Sequence, residues 1–157
     1  MNIELIFIGK TSKKYIEEGV SDYEKRIKRY IKFEIKVIGD LKNTKNLSPK
    51  VFKIKEGENL LKKISENDFL VLLDENGKLY SSKEFAGFVS NKVITNVKKL
   101  VFVIGGAYGF SEDIYKRANA KISLSKMTFS HQPVRILFTE QLYRAFTILK
   151  GEPYHND

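Results

Sequence analysis

The chain has 157 residues, no cysteine, two histidines and a formal net charge of +9 at pH 7, which predicts one domain over residues 1–157 and excludes disulfides, thiol nucleophiles and thiolate metal sites. No apolar run approaches the roughly 20 residues that cross a bilayer, and the start MNIELIFIGK lacks a signal-peptide pattern, so we expect a cytoplasmic protein with no membrane segment and no metal. The positive charge suits a polyanionic partner, although a soluble protein from a lysine-rich proteome would carry the same charge.

The first half of the chain predicts two strand–helix units. They are a strand over residues 2–9, a helix from a Ser12 cap to about Tyr30, a strand over 33–38, and a helix from Ser48 and Pro49 to about Ile64. The first helix carries a basic cluster over residues 25–29. That cluster would either follow phosphates or form a solvated helix face.

The second half continues the alternation. A strand over 68–73 is followed by a turn over 74–78 through Asn76-Gly77 and by a helix that a Ser81/Glu84 capping box opens; the residues of this helix predicted to face inward are Phe85, Phe88, Val89 and Ile94. A strand over 100–104 and a short helix capped by Ser111 come next. The last elements are a strand over 122–124 and a long helix that begins at Pro133 and is stopped by Gly151. Strands that alternate with helices predict an α/β fold, with a largely parallel sheet covered by helices on both faces.

The stretch LVFVIGGAYGF over residues 100–110 is the centre of the predicted site. An apolar run that breaks into three glycines predicts a buried strand followed by a loop, with glycines where the backbone takes unusual torsions or where a ligand approaches closely. The pattern is GGxxG, which does not match the dinucleotide-binding GxGxxG. Gly9-Lys10-Thr11 lacks the earlier glycine of a phosphate-binding loop. The loops after strands three, four and five are therefore expected to converge on a small molecule at the carboxyl edge of the sheet.

Five ordered segments carry a resemblance to a known family. VLLDENGK, FVIGGAYGFS, SLSKMTFSHQ, RILFTEQLYRAF and GEPYH resemble the ribosomal large-subunit pseudouridine N3-methyltransferase family, within the SPOUT class of RNA methyltransferases. The resemblance implies a C-terminal trefoil knot, S-adenosyl-L-methionine as methyl donor, a homodimer with sites near the subunit interface, and 23S ribosomal RNA, within the ribosome, as partner. Two positions depart from the family pattern, Ser130 before the histidine and Ala107 after the glycine pair, and both affect loop shape only.

The resemblance also implies which residues bind the methyl donor. The matching positions are Leu73, Gly105, Leu124, Ser125, Lys126, Met127, Thr128 and Phe129. Without the resemblance, Leu73 and Leu124 would be interpreted as the ends of core strands and Lys126 as solvated.

Methylation of a ring nitrogen that bears a proton is helped by a base. The candidates are His155, His131 and Glu140, and we rank His155 first because a histidine beyond the last helix is free to meet substrate. Tyr154 beside it would stack on or hydrogen-bond an RNA base. Arg135 and Arg144 lie nine residues apart on the last helix and would bind phosphates. The alternative for both arginines is an ion pair with Glu140, which suits Arg144 at i+4 and not Arg135.

Two other functions remain open at this stage. One is a SPOUT enzyme that methylates a different RNA position. The other is a basic RNA-binding or ribosome-associated factor without catalysis. Binding of the methyl donor separates an enzyme from a pure binding factor, because only the enzyme should be stabilised by it.

Overall fold

The computed structural model describes residues 1–156 and contains a five-stranded sheet in the order β2-β1-β4-β3-β5. All four strand pairings are parallel. The elements are β1 (Asn2–Ile8), α1 (Lys14–Ile27), β2 (Phe33–Ile38), α2 (Pro49–Leu61), β3 (Phe69–Leu79), α3 (Ser82–Ile94), β4 (Lys99–Ile104), α4 (Glu112–Arg117), β5 (Ala120–Ser123) and α5 (Pro133–Leu149). The predicted α/β alternation is confirmed. The trefoil knot implied by the resemblance stays a prediction.

Helices cover both faces of the sheet. On one face, Phe102 of β4 packs against Phe138 of α5 with ring centroids 4.9 Å apart, in a core that α1 and α3 complete. On the other face, Val101 and Val103 belong to a smaller core with Leu60 of α2 and Ile114 of α4. Because successive side chains of a strand point to opposite faces, a strand covered twice is apolar along its length, as β4 is from Leu100 to Ile104.

The Asn76-Gly77 turn was predicted wrongly. β3 continues through this dipeptide to Leu79, and its pairing with β5 shifts so that both Leu73 and Lys78 lie opposite Ile122. A Cβ on Gly77 would lie 2.6 Å from the backbone of Ile122, so the glycine permits the close approach of the two strands. The dipeptide therefore marks an irregularity within a strand and not a reversal of the chain.

The predicted helix caps were correct in part. Ser48 accepts a hydrogen bond from the Val51 amide at 3.2 Å, and Ser81 and Glu84 form the complete capping box. Ser12 does not cap α1, whose N-cap position is occupied by Lys13. Ser111 is at the N-cap of α4 but its side chain makes no capping hydrogen bond.

Other predictions need smaller corrections. Ile94, predicted to face inward, is 77% exposed at the end of α3. β5 begins at Ala120 and ends before Leu124, so that leucine lies in the following loop. Gly151 ends α5 as predicted, with φ at +68°. Within residues 1–156, no helix has the length and apolar composition that crossing a membrane requires.

The β3–β5 contact provides a direct test of the fold. Gly77→Ala forces a methyl group against the Ile122 backbone, so we expect a loss of roughly 1–3 kcal/mol in the free energy of unfolding, measured by urea denaturation. Gly87→Ala is the control, because Gly87 is exposed on α3 with nothing within 4 Å of an added Cβ. Alanine there should stabilise the helix by about 0.5–1 kcal/mol. Equal losses from both substitutions would contradict this account of Gly77.

Candidate functional site

A cavity of about 400 Å³ opens at the carboxyl edge of the sheet, between the last part of β3 and the loops that follow β4 and β5. Neighbouring parallel strands end at the same edge, so segments distant in sequence meet there. The lining comes from residues 73–76, 104–110, 122–125 and 127–129, together with Tyr115, His131 and Val134. The predicted convergence is therefore present for the loops after β4 and β5, whereas the third segment, residues 73–76, is an irregular stretch within β3 and not a loop.

Seven of the eight residues predicted to bind the methyl donor line this cavity. They are Leu73, Gly105, Leu124, Ser125, Met127, Thr128 and Phe129. Lys126 is the exception, since it is exposed and is not part of the lining. The loop after β5 is shaped by its own serines: Ser123 donates to the Ser125 carbonyl at 2.8 Å, and the Met127 amide donates to the Ser125 hydroxyl at 2.9 Å.

The continued strand β3 brings two carboxylates that the sequence analysis missed. Asp74 accepts hydrogen bonds from the Tyr115 hydroxyl and, at 2.8 Å, from the Asn76 amide. Glu75 accepts a hydrogen bond from Thr128 at 3.1 Å, which links β3 to the loop after β5. Carboxylates immediately after an apolar strand were the available signal, but the sequence analysis assigned both residues to a turn and gave them no role in the site.

The charge of the cavity is opposite to that of the chain. Among the described residues that line it there is no lysine or arginine, although the sequence has 28 of them. Asp74 and Glu75 are its acidic members. Burial, with the hydrogen bond to Asp74, raises the pKa of Tyr115 well above its usual range, so this phenol stays protonated and donates. A site with this lining favours a ligand that carries positive charge.

Different structural features explain why glycine occupies each of three positions in the loop after β4. A Cβ on Gly105 would lie 3.0 Å from the Phe110 ring, and one on Gly106 would lie 3.2 Å from Oε2 of Glu56. Gly109 has φ at +76°, so within this loop the predicted special torsion belongs to that glycine. Burial, and secondarily the charge of Asp40, raises the pKa of Glu56 to about 7. The loop thus packs closely against the side chains of Phe110, which also lines the cavity, and Glu56, which does not.

The residues predicted for catalysis form a separate cluster on α5 and the C-terminal tail. Arg144 donates to Oε1 of Glu140 at 2.6 Å, and Tyr154 donates to the same oxygen at 3.0 Å. Nη1 of Arg144 lies 3.2 Å from Nδ1 of His155. The tail is also attached to the turn after α1, where Tyr30 donates to Glu152 at 2.6 Å. Of the predicted catalytic residues, only His131 lines the cavity.

The proton positions in this cluster follow from its donors. A guanidinium only donates hydrogen bonds, so Nδ1 of His155 accepts from Arg144 and a neutral imidazole carries its proton on Nε2. Burial, together with hydrogen bonds to Tyr23 and Glu140, raises the pKa of Tyr154 well above its usual range. Tyr154 is therefore a donor.

The two predicted phosphate-binding arginines are in different surroundings. Arg144 forms the i+4 ion pair with Glu140 that the sequence offered as the alternative. Arg135 is 0% exposed, so the prediction that it binds RNA is wrong. Its guanidinium donates to Thr11 at 2.9 Å and to the Ile8 carbonyl at 3.0 Å, and it lies over the Phe7 ring. It fastens α5 to the loop after β1. The spacing of residues along a helix does not by itself show which of its faces is exposed to solvent.

A second cavity of about 330 Å³ adjoins the first and shares Ile122, Ser123, Leu124 and Phe129 with it. Its remaining lining includes Leu137 and Gln141 of α5 and the start of α3. Ser82 donates to Gln141 at 2.8 Å across this space. Apolar side chains are exposed around both cavities, with Leu137 40% and Met127 75% accessible. This combination marks a surface that suits a macromolecular contact.

The comparisons with known proteins agree over nearly the whole chain. A family model described as "Predicted SPOUT methyltransferase" matches residues 1–155. A protein of Christiangramia forsetii is 59% identical over 156 residues, 99% of each chain, and one of Parabacteroides distasonis is 55% identical over 157 residues, 100% of each chain. A Flavobacterium psychrophilum protein is 58% identical over 99% of each chain. All three relatives are named ribosomal RNA large subunit methyltransferase H.

The chain thus has the glycine loop, the parallel sheet and the C-terminal segments in the order that the resemblance required, and the family model matches it through residue 155 of the tail. The chain belongs to the SPOUT methyltransferase family.

Proposed function

We propose that this protein uses S-adenosyl-L-methionine to methylate N3 of a pseudouridine in the 23S ribosomal RNA, acting as a single-domain cytoplasmic enzyme. The observation that carries the proposal is the cavity after β3, β4 and β5, whose lining includes Asp74 and Glu75 but, among the described residues, no lysine or arginine. The relatives' shared name supports the ribosomal RNA substrate. The N3 position and the pseudouridine come from the family resemblance.

The cavity residues fit the proposed methyl donor. Leu73, Leu124 and Phe129 offer apolar contact to an adenine ring, and the loop backbones offer hydrogen-bond donors and acceptors. Asp74 and Glu75 supply negative charge for the positively charged sulfur of the donor. When bound, the donor supplies a methyl group on a positively charged sulfur. The chain's contribution is to align the RNA nitrogen with that methyl group and to exclude water.

The nitrogen that receives the methyl group also loses a proton. His131 lines the cavity and is the candidate base within the same chain. His155 must come from elsewhere, because neither it nor Tyr154 lines the cavity of its own chain. Arg144 holds both tail residues, by its contact with Nδ1 of His155 and by lying 4.8 Å over the Tyr154 ring. We propose that this prearranged tail acts in the cavity of a second copy.

A homodimer would supply that second copy. Leu137 and Phe129 are exposed beside the shared wall of the two cavities, and β5 is an edge strand with one unpaired side. Contact between two copies there would bury apolar surface and protect the edge. It would also bring the tail of one copy towards the cavity of the other.

The substrate assignment is tested with large ribosomal subunits purified from a strain that lacks the gene. Incubation with the protein and S-adenosyl-L-methionine should add one methyl group to one pseudouridine of the 23S RNA, detected by mass mapping of nuclease fragments. Methylation at another RNA position would favour the alternative SPOUT activity. No methyl transfer, together with no thermal stabilisation by the donor, would favour a non-catalytic RNA-binding factor.

The composite site is tested by mixing two inactive variants. Leu124→Arg places a positive charge in the cavity, and His155→Ala removes the tail histidine. In a heterodimer isolated with two affinity tags, one cavity and one tail remain intact on different chains, so we expect about half of the unsubstituted activity. A heterodimer as inactive as both homodimers would show that the tail acts on its own chain. Full activity of His155→Ala alone would exclude that histidine from catalysis.

A further inference from the structure

Five lysines without carboxylate partners lie on the loops after β1 and β2 and in the first turn of α2, at the same sheet edge as the cavity. We name Lys10, Lys13, Lys42, Lys45 and Lys50 the basic rim; all five are exposed. Among residues 1–156, none of the five forms an ion pair. Their charges are therefore available to a partner.

The basic cluster of α1 differs from this rim. Arg26 pairs with Asp22 at 3.1 Å and Lys28 pairs with Glu24 at 2.7 Å, each along the helix. These i,i+4 pairs neutralise half of the cluster that the sequence offered as a phosphate-binding surface. The positive charge of α1 is thus partly used within the helix, whereas that of the rim is not.

Two contacts connect the rim to the cavity. Phe52, in the first turn of α2, packs edge-on against Tyr108 with ring centroids 5.3 Å apart, and Tyr108 lines the cavity. Gln132 donates to the Lys10 carbonyl at 3.1 Å and accepts from the Ser12 amide at 3.0 Å. The neighbouring His131 lines the cavity as well. Both basic loops are therefore tied to segments that form its wall.

The sheet order separates the two kinds of charge. β2 and β1 are at one end of the order, and the cavity lies where β4, β3 and β5 end. A polyanion lying over the first two strands would meet lysines and would have its neighbouring segment above the acidic cavity. Phosphates would be repelled from Asp74 and Glu75, so the charge pattern also keeps the RNA backbone out of the cavity.

We propose that the basic rim binds phosphates of the ribosomal RNA on one side of the target nucleotide and so positions that nucleotide over the cavity. The proposal rests on the function proposed above and names the surface that receives its substrate. Lysine–phosphate contacts release condensed counterions, which makes the affinity of such a surface depend strongly on salt. They carry no base information, so the rim supplies affinity and register while the cavity supplies the chemistry.

The test compares two triple variants of equal charge. The rim variant is Lys10→Gln/Lys45→Gln/Lys50→Gln. The control variant is Lys62→Gln/Lys63→Gln/Lys98→Gln, which removes three exposed lysines, also without ion pairs among the described residues, at the opposite edge of the sheet. The probe is the large ribosomal subunit from the strain that lacks the gene, and both dissociation constants and methylation rates are measured across a range of salt concentrations.

For the rim variant we expect at least about tenfold weaker binding at moderate salt and a logarithmic salt slope reduced by roughly 2–3. The KM for ribosomal subunits should rise, while kcat and the affinity for S-adenosyl-L-methionine stay unchanged. The control variant should match the unsubstituted protein.

Equal losses in both variants would overturn the proposal, because they would reflect net charge and not a surface. If the rim variant binds and methylates the subunits as the unsubstituted protein does, the proposal about the rim is overturned too, while the proposed methyltransferase function still stands. Failure of the unsubstituted protein to bind or methylate the subunits would instead refute the proposed function, and the rim with it.

Discussion

The structure depends on the parallel pairing of β3 with both β4 and β5, which makes three strands end at one edge. β3 pairs with β5 up to Leu73, loses register, and pairs again at Lys78 opposite the same Ile122. The intervening residues leave the ladder and contribute Asp74 and Glu75 to the cavity. Gly77 makes this possible, because any side chain would meet the backbone of the neighbouring strand. One local irregularity therefore both shapes the cavity and sets its charge.

Charge separation is the second feature of the molecule. A chain with a net charge of +9 has a cavity with carboxylates and, in the described lining, no cationic side chain. Arg135, which spacing alone would place near the RNA, is instead buried in the first turn of α5 and fastens that helix to the loop after β1. The proposed sulfonium ligand and the proposed contact with RNA phosphates need opposite surroundings, and the carboxylates and lysines at neighbouring positions of one sheet edge would supply them.

Much of the architecture could be predicted because it depends on local patterns. Apolar runs predicted β3 and β4, the alternation of apolar and charged residues predicted β2, and the Ser81/Glu84 spacing predicted a capping box. The turn predicted at Asn76-Gly77 was wrong because this dipeptide occurs both in turns and at strand irregularities, and only the pairing with the neighbouring strand decides between the two. The cluster of Tyr154 and His155 with Arg144 also depends on tertiary packing, which fixes where the tail lies against α5. The seven cavity residues came from the family resemblance, since a leucine at a strand end is equally a core residue.

The central claim is that the cavity binds a positively charged methyl donor through its carboxylates. The most direct measurement is the calorimetric affinity of the Asp74→Asn/Glu75→Gln variant for S-adenosyl-L-methionine and for its demethylated product, which lacks the sulfonium charge. The account predicts that the variant binds the donor about tenfold or more weakly than the unsubstituted protein, while its affinity for the neutral thioether changes little. Equal weakening for both ligands, or no change for either, would contradict it.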